Sequence, residues 1–187
     1  MFLNESKFAR AMKTAYKNNG LRVHNADGTF YIEGNTWMAK FADGAMPKEI
    51  MGEMIKLIGK IPACGESINY SKDGMQMEIN MPIERIEMEE NIIYDILPIT
   101  IMGSTLVSAP DDTKHLISSS LLEVVDISKI EKEQDDGTLI LESYSESLDS
   151  NRMAWSDGEV TFMIDFQKNT DSVDRFLSDL KSINCNV

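Results

Sequence analysis

Cysteine is scarce in this chain, and long apolar runs are missing. Cys64 and Cys185 are the two cysteines among 187 residues, 121 positions apart, so a disulfide framework is excluded and a reducing compartment is expected. The longest apolar stretch, 96–107, is interrupted by Pro98 and Gly103 and falls short of the roughly 20 residues that a membrane helix needs. The first residues lack the charged and apolar segments of a secretory signal. We therefore expect a cytoplasmic protein.

Specific catalytic, cofactor and metal motifs are also lacking. The chain contains no GxGxxG and no GxxxxGK[ST], the loops that hold nucleotide phosphates. His115 precedes three serines, but no GxSxG elbow surrounds them. Neither His24 nor His115 shows the short ligand spacing of a structural zinc site with Cys64 or Cys185. The sequence thus predicts no enzyme, no metal and no cofactor.

Acidic residues, in contrast, are abundant and unevenly placed. The net charge is −13, yet residues 1–24 carry five bases and one acid, while residues 84–149 carry four bases and sixteen acids. A surface of that sign repels nucleic acid and anionic membranes and attracts basic partners over a Debye length of about 8 Å. The alternative interpretation is that these acids only keep an ordinary protein soluble.

The acids of 84–149 are predicted to lie on or between strands, at fixed spacing. Duplex DNA carries one charge per roughly 1.7 Å of its axis, so a rigid acidic surface can occupy a groove that binds phosphates. The partner to expect is therefore a basic protein. The predicted partner-binding residues are Glu84, Glu87, Glu89, Glu90, Asp95, Asp111, Asp112, Glu131, Glu133, Asp135 and Asp136.

A basic amphipathic helix is predicted at the start of the chain. Asn4 can cap a helix over 5–18, which Asn19 and Gly20 would end. Its apolar stripe would be buried, whereas four bases at spacings of three and four follow one flank. That flank is either a solvated face or a contact for nucleic acid or another anion, including the acidic tract of the same chain. The four bases are Lys7, Arg10, Lys13 and Lys17.

Local signals predict an α+β fold: an N-terminal α-β-β-β-α unit, then a mainly antiparallel acidic sheet and a C-terminal helix. Turn residues separate three strands, and a helix beginning at Pro47 carries an apolar face that would cover them. We divide the chain into domains 1–82 and 83–187, without deciding whether they form one core or two. The predicted strands are 21–25, 29–33, 36–41, 68–70, 75–81, 83–88, 92–97, 99–102, 138–144 and 159–166.

Three further stretches complete the predicted order of elements. Residues 110–130 fit either a helix capped by Asp111 or Asp112 or a buried strand over 121–127, and we favour the strand. Residues 135–137, Asp-Asp-Gly, predict a hairpin turn. Residues 169–171 begin a helix whose apolar face includes Val173, Phe176, Leu177, Leu180 and Ile183.

The element order of the N-terminal unit resembles nucleases with a PD-(D/E)xK motif. Glu33 matches the acid of the second strand and Lys40 the lysine of the third. The remaining acid position is Met38, and a thioether cannot replace a carboxylate on magnesium, which prefers oxygen ligands. The resemblance therefore lacks an essential ligand.

Residues 37–62 contain a tryptophan strand, an Asp-Gly loop, Met-Pro-Lys-Glu and an apolar helix ending in Ile-Gly-Lys-Ile-Pro. This stretch resembles small proteins of phages and mobile elements in Gram-positive bacteria, which include anti-restriction and anti-CRISPR inhibitors. The resemblance implies an acidic inhibitor, acting in the bacterial host cytoplasm, that blocks the basic groove of a nucleic-acid enzyme. The alternative is a phage structural or assembly protein that self-associates.

Overall fold

The computed structural model describes residues 1–77, 94–109, 111–126, 152–167, 173 and 175–178, with backbone only at 75–77. These residues form an α+β fold, as predicted, with an N-terminal helix, two antiparallel sheets and a helical stretch near the C-terminus. No described helix has both the length and the apolar character needed to cross a membrane.

The described elements follow the predicted order closely in the N-terminal part. The helices whose bounds are described are α1 (Glu5–Asn18), α2 (Lys48–Ile58) and α3 (Ser119–Leu122), and residues 173 and 175–178 are helical as well. The ten strands are β1 (Leu21–Ala26), β2 (Thr29–Glu33), β3 (Trp37–Phe41), β4 (Ser67–Ser71), β5 (Gly74–Met77), β6 (Asp95–Ile101), β7 (Ser104–Ser108), β8 (Lys114–Ser118), β9 (Arg152–Ser156) and β10 (Val160–Asp165).

Helix α1 begins and ends where its sequence signals predict. The side chain of Asn4 accepts a hydrogen bond from the backbone N–H of Lys7 at 3.2 Å, which satisfies one of the free N–H groups of the first turn. The N–H groups of Asn19 and Gly20 both donate to the carbonyl of Ala15, and Gly20 adopts φ 96° there. The helix therefore ends at Asn18, and β1 begins at Leu21.

The larger sheet joins strands that lie far apart in the sequence. Its order is β5-β4-β1-β2-β3-β10-β9, and every pairing is antiparallel. Strand β10 lies between β3 and β9, so that Phe162 is opposite Ala39 on one side and Trp155 on the other. The sheet therefore extends across the boundary predicted at residue 82.

One main hydrophobic core lies between this sheet and the helices. Phe8 of α1 contacts the rings of Trp37, Phe41 and Phe162 edge-on, with centroids 5.3, 5.7 and 6.1 Å apart. Helix α2 buries Ile50, Met54 and Ile58 in the same core, which confirms that it covers the sheet. Residues from both sides of residue 82 contribute, so the described parts of 1–82 and 83–187 share one main core.

The smaller sheet, in the order β6-β7-β8, corrects one strand prediction. The two strands predicted at 92–97 and 99–102 are a single strand, β6, which continues through Pro98. Proline has no N–H to donate, but β6 is the outer strand of this sheet, and its register with β7 shifts between Ile96 and Thr100. The missing hydrogen bond is therefore tolerated at that point.

Residues 111–126 differ from both predicted alternatives. The strand favoured over 121–127 is wrong where the structure describes it, because α3 occupies Ser119–Leu122 and the strand of this region is β8. Burial of Leu121, Leu122, Val124 and Val125 explains the error, since a continuous apolar run does not distinguish a strand from a buried short helix.

Several predicted elements lie wholly or partly outside the described residues. They include strands 83–88 and 138–144, the turn at 135–137 and the end of strand 75–81. The C-terminal helix is confirmed over its described part: residues 173 and 175–178 are helical, and Val173 and Leu177 are buried against Leu106 and Leu116.

Candidate functional site

Three of the predicted partner-binding acids are described, and they lie at one end of the smaller sheet. Asp95 begins β6 opposite Ser108, whose other neighbour in the sheet is Lys114 at the start of β8. Asp111 and Asp112 belong to the loop that connects β7 to β8. All three acids are exposed. The fold therefore places three negative charges at the surface of this end of the sheet. The remaining eight lie outside the described residues: Glu84, Glu87, Glu89, Glu90, Glu131, Glu133, Asp135 and Asp136.

Two of these acids also shape the loop that carries them. Asp111 Oδ1 accepts a hydrogen bond from the backbone N–H of Thr113 at 2.9 Å. This bond, with the Thr113 side chain, lowers the pKa of Asp111 below its ordinary value. Asp112 forms an ion pair with Lys114 and adopts φ 68°. The lowered pKa keeps Asp111 ionised at neutral pH, and the ion pair with Lys114 orients Asp112.

The basic flank of α1 is partly bound to the protein's own acids. Lys7 forms an ion pair with Glu123, which belongs to the acidic tract, and Lys13 Nζ lies 3.1 Å from Glu53 Oε1 on α2. Arg10 and Lys17 are exposed, and neither forms an ion pair among the described residues. The intrachain contact anticipated from the sequence thus exists for Lys7.

These ion pairs keep both carboxylates ionised. The hydrogen bond from Lys7, followed by the charges of Lys7 and Arg10, lowers the pKa of Glu123. Burial raises the pKa of Glu53, but the hydrogen bond from Lys13 and the charges of Lys13 and Lys56 outweigh that effect and lower the pKa overall. Helix α1 is therefore attached by charge to α2 on one side and to α3 on the other.

A groove of about 320 Å³ lies between α1, the β2–β3 turn and α3, and we call it the α1–α3 groove. Its volume is at the lower end of the range for small-molecule pockets. Ten of its fourteen lining residues are polar or charged, among them two bases and the acid Glu123, and the sequence analysis did not predict it. Its lining residues are Lys7, Arg10, Ala11, Thr14, Ala15, Asn18, Asn19, Asn35, Thr36, Trp37, Ser118, Ser120, Leu121 and Glu123.

The residues that resemble the nuclease motif form a different arrangement. Glu33 is directly opposite Met38 across β2 and β3, and its Oε1 lies 2.9 Å from Arg22 Nη2. Lys40 is opposite Tyr31, two pairs further along. Met38 packs against Ala154 and Met163. Within the described ranges, no group of three His, Cys, Asp or Glu side chains could hold a metal ion.

Both histidines occupy aromatic or hydrogen-bonded positions. His24 Nδ1 lies 2.6 Å from Ser67 Oγ on the neighbouring strand. The ring of His115 stacks on Phe166 with centroids 4.2 Å apart and meets Tyr94 edge-on. Burial lowers the pKa of His115, with a smaller opposing effect from Asp111. His115 is therefore neutral at neutral pH and packs as an aromatic ring.

Comparisons with known proteins give no family. No protein-family model and no curated protein matches the chain. Among solved structures, it is similar to the DNA polymerase III beta subunit from Thermotoga maritima, with 12% identity and a TM-score of 0.37, over 89% of this chain and 64% of that one.

Two further structures are similar at the same level. The DNA polymerase III beta chain from Streptococcus pneumoniae TIGR4 has 10% identity and a TM-score of 0.33, over 92% of this chain and 66% of that one. The DnaN sliding clamp from Bartonella birtlesii, bound to griselimycin, has 9% identity and a TM-score of 0.34, over 91% of this chain and 65% of that one. The chain spans less than two thirds of each, and TM-scores this low carry no argument about function.

Proposed function

We propose that the protein is a non-catalytic binding protein of mobile-element origin that inhibits a bacterial host nucleic-acid enzyme in the cytoplasm. Its acidic surface would occupy the basic groove through which the enzyme holds nucleic acid, as anti-CRISPR or anti-restriction inhibitors do. Asp95, Asp111 and Asp112 would belong to the contact surface, together with the acids of 84–90 and 131–136.

The observation that carries this proposal is the separation of charge along the chain. Residues 84–149 contain sixteen acids and four bases, a net charge of −12, whereas residues 1–77 contain eight acids and ten bases, a net charge of +2. The excess negative charge therefore lies entirely in the part of the chain after residue 77. A concentrated field of that sign steers the protein toward a basic groove and competes there with phosphates.

The basic helix has a secondary part in this proposal. Because Lys7 and Lys13 are bound to Glu123 and Glu53, Arg10 and Lys17 are the bases of α1 that can contact nucleic acid or an acidic part of the target. Two such charges are few compared with the excess of acids. Direct nucleic-acid binding would therefore be confined to this helix.

The proposal is tested by capturing the target from a bacterial host lysate with the tagged protein at low and high salt. We expect a nucleic-acid enzyme that binds at low salt, is released as salt rises, and is inhibited by the purified protein. Charge reversal of Glu87, Glu89 and Glu90 to Lys should reduce its affinity at least about tenfold, because close charge pairs at such interfaces contribute roughly 1.5 kcal/mol or more.

A matched variant separates position from net charge. Reversal of Glu49, Asp73 and Glu159, which are exposed and lie outside 84–149, changes the net charge by the same amount and should leave most of the affinity. Equal losses in the two variants, or binding that is indifferent to salt, would contradict the proposal. A closed oligomer in light scattering, with no affinity for such enzymes, would instead favour the self-associating phage protein.

A further inference from the structure

We infer that the α1–α3 groove is a binding site for a small phosphomonoester, with Arg10 as the main anchor for its phosphate. This site shares no residue with the proposed acidic contact surface and would not require the inhibitory role. Three observations support the site: the shape of the groove, the guanidinium of Arg10, which forms no ion pair with any residue that the structure describes, and the polar residues that line the groove.

The groove owes its depth to the residue sizes on one face of α1. Ala11 and Ala15 lie one turn apart, and their methyl groups leave space where longer side chains would fill it. Arg10 and Thr14 lie at the same spacing beside them, and Thr14 Oγ1 donates to the carbonyl of Arg10 at 2.9 Å. Trp37, which is 6% exposed, closes the groove from β3.

Arg10 supplies the unused donors. The guanidinium carries five N–H groups in a planar fork that matches phosphate oxygens, and Arg10 has no ion pair or side-chain hydrogen bond among the described residues. Lys7, three residues before it on the same helix, adds a second cation whose present partner is Glu123. A doubly charged phosphate can accept from both bases when it displaces the Glu123 carboxylate, which lines the same groove, from Lys7.

The other walls favour a phosphate with a hydroxylated body over a bare anion or a planar carboxylate. Ser118 Oγ and Ser120 Oγ line the groove and share a hydrogen bond of 3.0 Å, which leaves one of the two hydroxyls to donate to a phosphate, and a phosphate has three terminal acceptor oxygens where a carboxylate has two. Amides and hydroxyls that both donate and accept suit the hydroxyls of a sugar. They belong to Asn18, Asn19, Asn35 and Thr36.

The test is a titration of the full-length ¹⁵N-labelled protein with glucose 6-phosphate, inorganic phosphate and glucose at constant ionic strength. With glucose 6-phosphate, we expect saturable shifts of the Trp37 indole signal and the side-chain amide signals of Asn18 and Asn35. The Trp155 indole, which is 1% exposed and lies outside the groove, should not move. Glucose should cause no shift, and inorganic phosphate should bind more weakly than glucose 6-phosphate.

Two variants on the same helix make the test specific. Arg10→Gln should weaken glucose 6-phosphate binding at least about tenfold, because hydrogen bonds to charged groups are lost. Lys17→Gln removes the same charge outside the groove and should leave affinity within about twofold. Absence of saturable shifts, or equal losses in both variants, would overturn the site. Equal affinity for inorganic phosphate and glucose 6-phosphate would overturn the assigned ligand class.

Discussion

Gly34 lies against the indole ring of Trp37, where even one added carbon would not fit. A Cβ at this position would be 2.3 Å from Nε1 of Trp37, while the N–H of Gly34 donates to the Trp37 carbonyl at 3.0 Å. The indole cannot withdraw easily, because Phe8 and Phe162 pack against it with centroids 5.3 and 6.2 Å away. The glycine is therefore required by packing, although neither the turn sequence nor the strand pattern indicated it.

We expect Gly34→Ala to lower the free energy of unfolding by about 1–3 kcal/mol, the usual cost of forcing extra volume into a packed core. Urea unfolding followed by tryptophan fluorescence measures the change. Gly52→Ala is the matched control, since Gly52 lies in α2 with nothing within 4 Å of its Cβ position. That control should instead stabilise the protein by roughly 0.5–1 kcal/mol, and a loss equal to that of Gly34→Ala would contradict the packing explanation.

At the scale of elements, α1 is held to α2 by the pair of Lys13 and Glu53. Because the pair lowers the pKa of Glu53 from its ordinary value of 4.5, its stabilisation is present above that value and is lost as pH falls through the lowered pKa. Glu53→Gln should therefore reduce the free energy of unfolding by up to about 1 kcal/mol at pH 7. The difference from the parent protein should vanish in strong acid.

A double-mutant cycle isolates the pair from other effects of the glutamine. Combining Glu53→Gln with Lys13→Met should give a coupling energy of roughly 0.2–1 kcal/mol. Lys17→Met, on the same helix, makes no ion pair with Glu53 and should show no coupling. A coupling of equal size for Lys17, or a difference that persists at pH 2, would show that the pair does not explain the pKa change.

Elements with strong local signals were predicted closely, and those defined by distant contacts were not. The Asn4 cap, the turns around β2 and the charge order of α2 act within a few residues, so α1 to α2 could be derived from sequence. Helix α3 is a single turn in an apolar run, and its position depends on contacts such as the bridge between Leu3 and Val125. No local sequence pattern predicts a contact between residues so far apart in the chain.

The candidate sites divide in the same way. Charge is visible in the sequence, so the acids were identified, and the fold brings Asp95, Asp111 and Asp112 to one end of the smaller sheet. The α1–α3 groove combines residues near positions 10, 36 and 120, and its depth comes from two alanines that look like ordinary core residues. Arg10 was named as a base, but the groove beside it could not be predicted.

The whole molecule depends on a pairing that the sequence does not reveal. Strand β10 is inserted between β3 and β9, about 120 residues after its partner β3. The aromatic side chains of Trp155 and Phe162 thereby complete the core around Phe8 and Trp37. The predicted division at residue 82 would cut this sheet and separate the two halves of its core.

We therefore expect a fragment of residues 1–82 to lack a cooperative fold when produced alone. Its β3 would lose a neighbouring strand, and the core would lose Trp155, Phe162 and Ile164, which are all at most 1% exposed. Truncating one buried aromatic residue to alanine costs about 3–5 kcal/mol, and the whole free energy of unfolding is commonly about 5–15 kcal/mol, so this loss exceeds what a small domain can tolerate. Amide signal dispersion and thermal unfolding would measure the outcome.

The same experiment has a built-in control. Mixing fragment 1–82 with fragment 83–187 should restore the dispersed amide signals of the intact protein, because β10 can still pair with β3 when the chain is cut at residue 82. If fragment 1–82 unfolded cooperatively by itself, with native signals for Trp37 and Phe8, the division at residue 82 would mark two independent domains. The single shared core would then not be needed for folding.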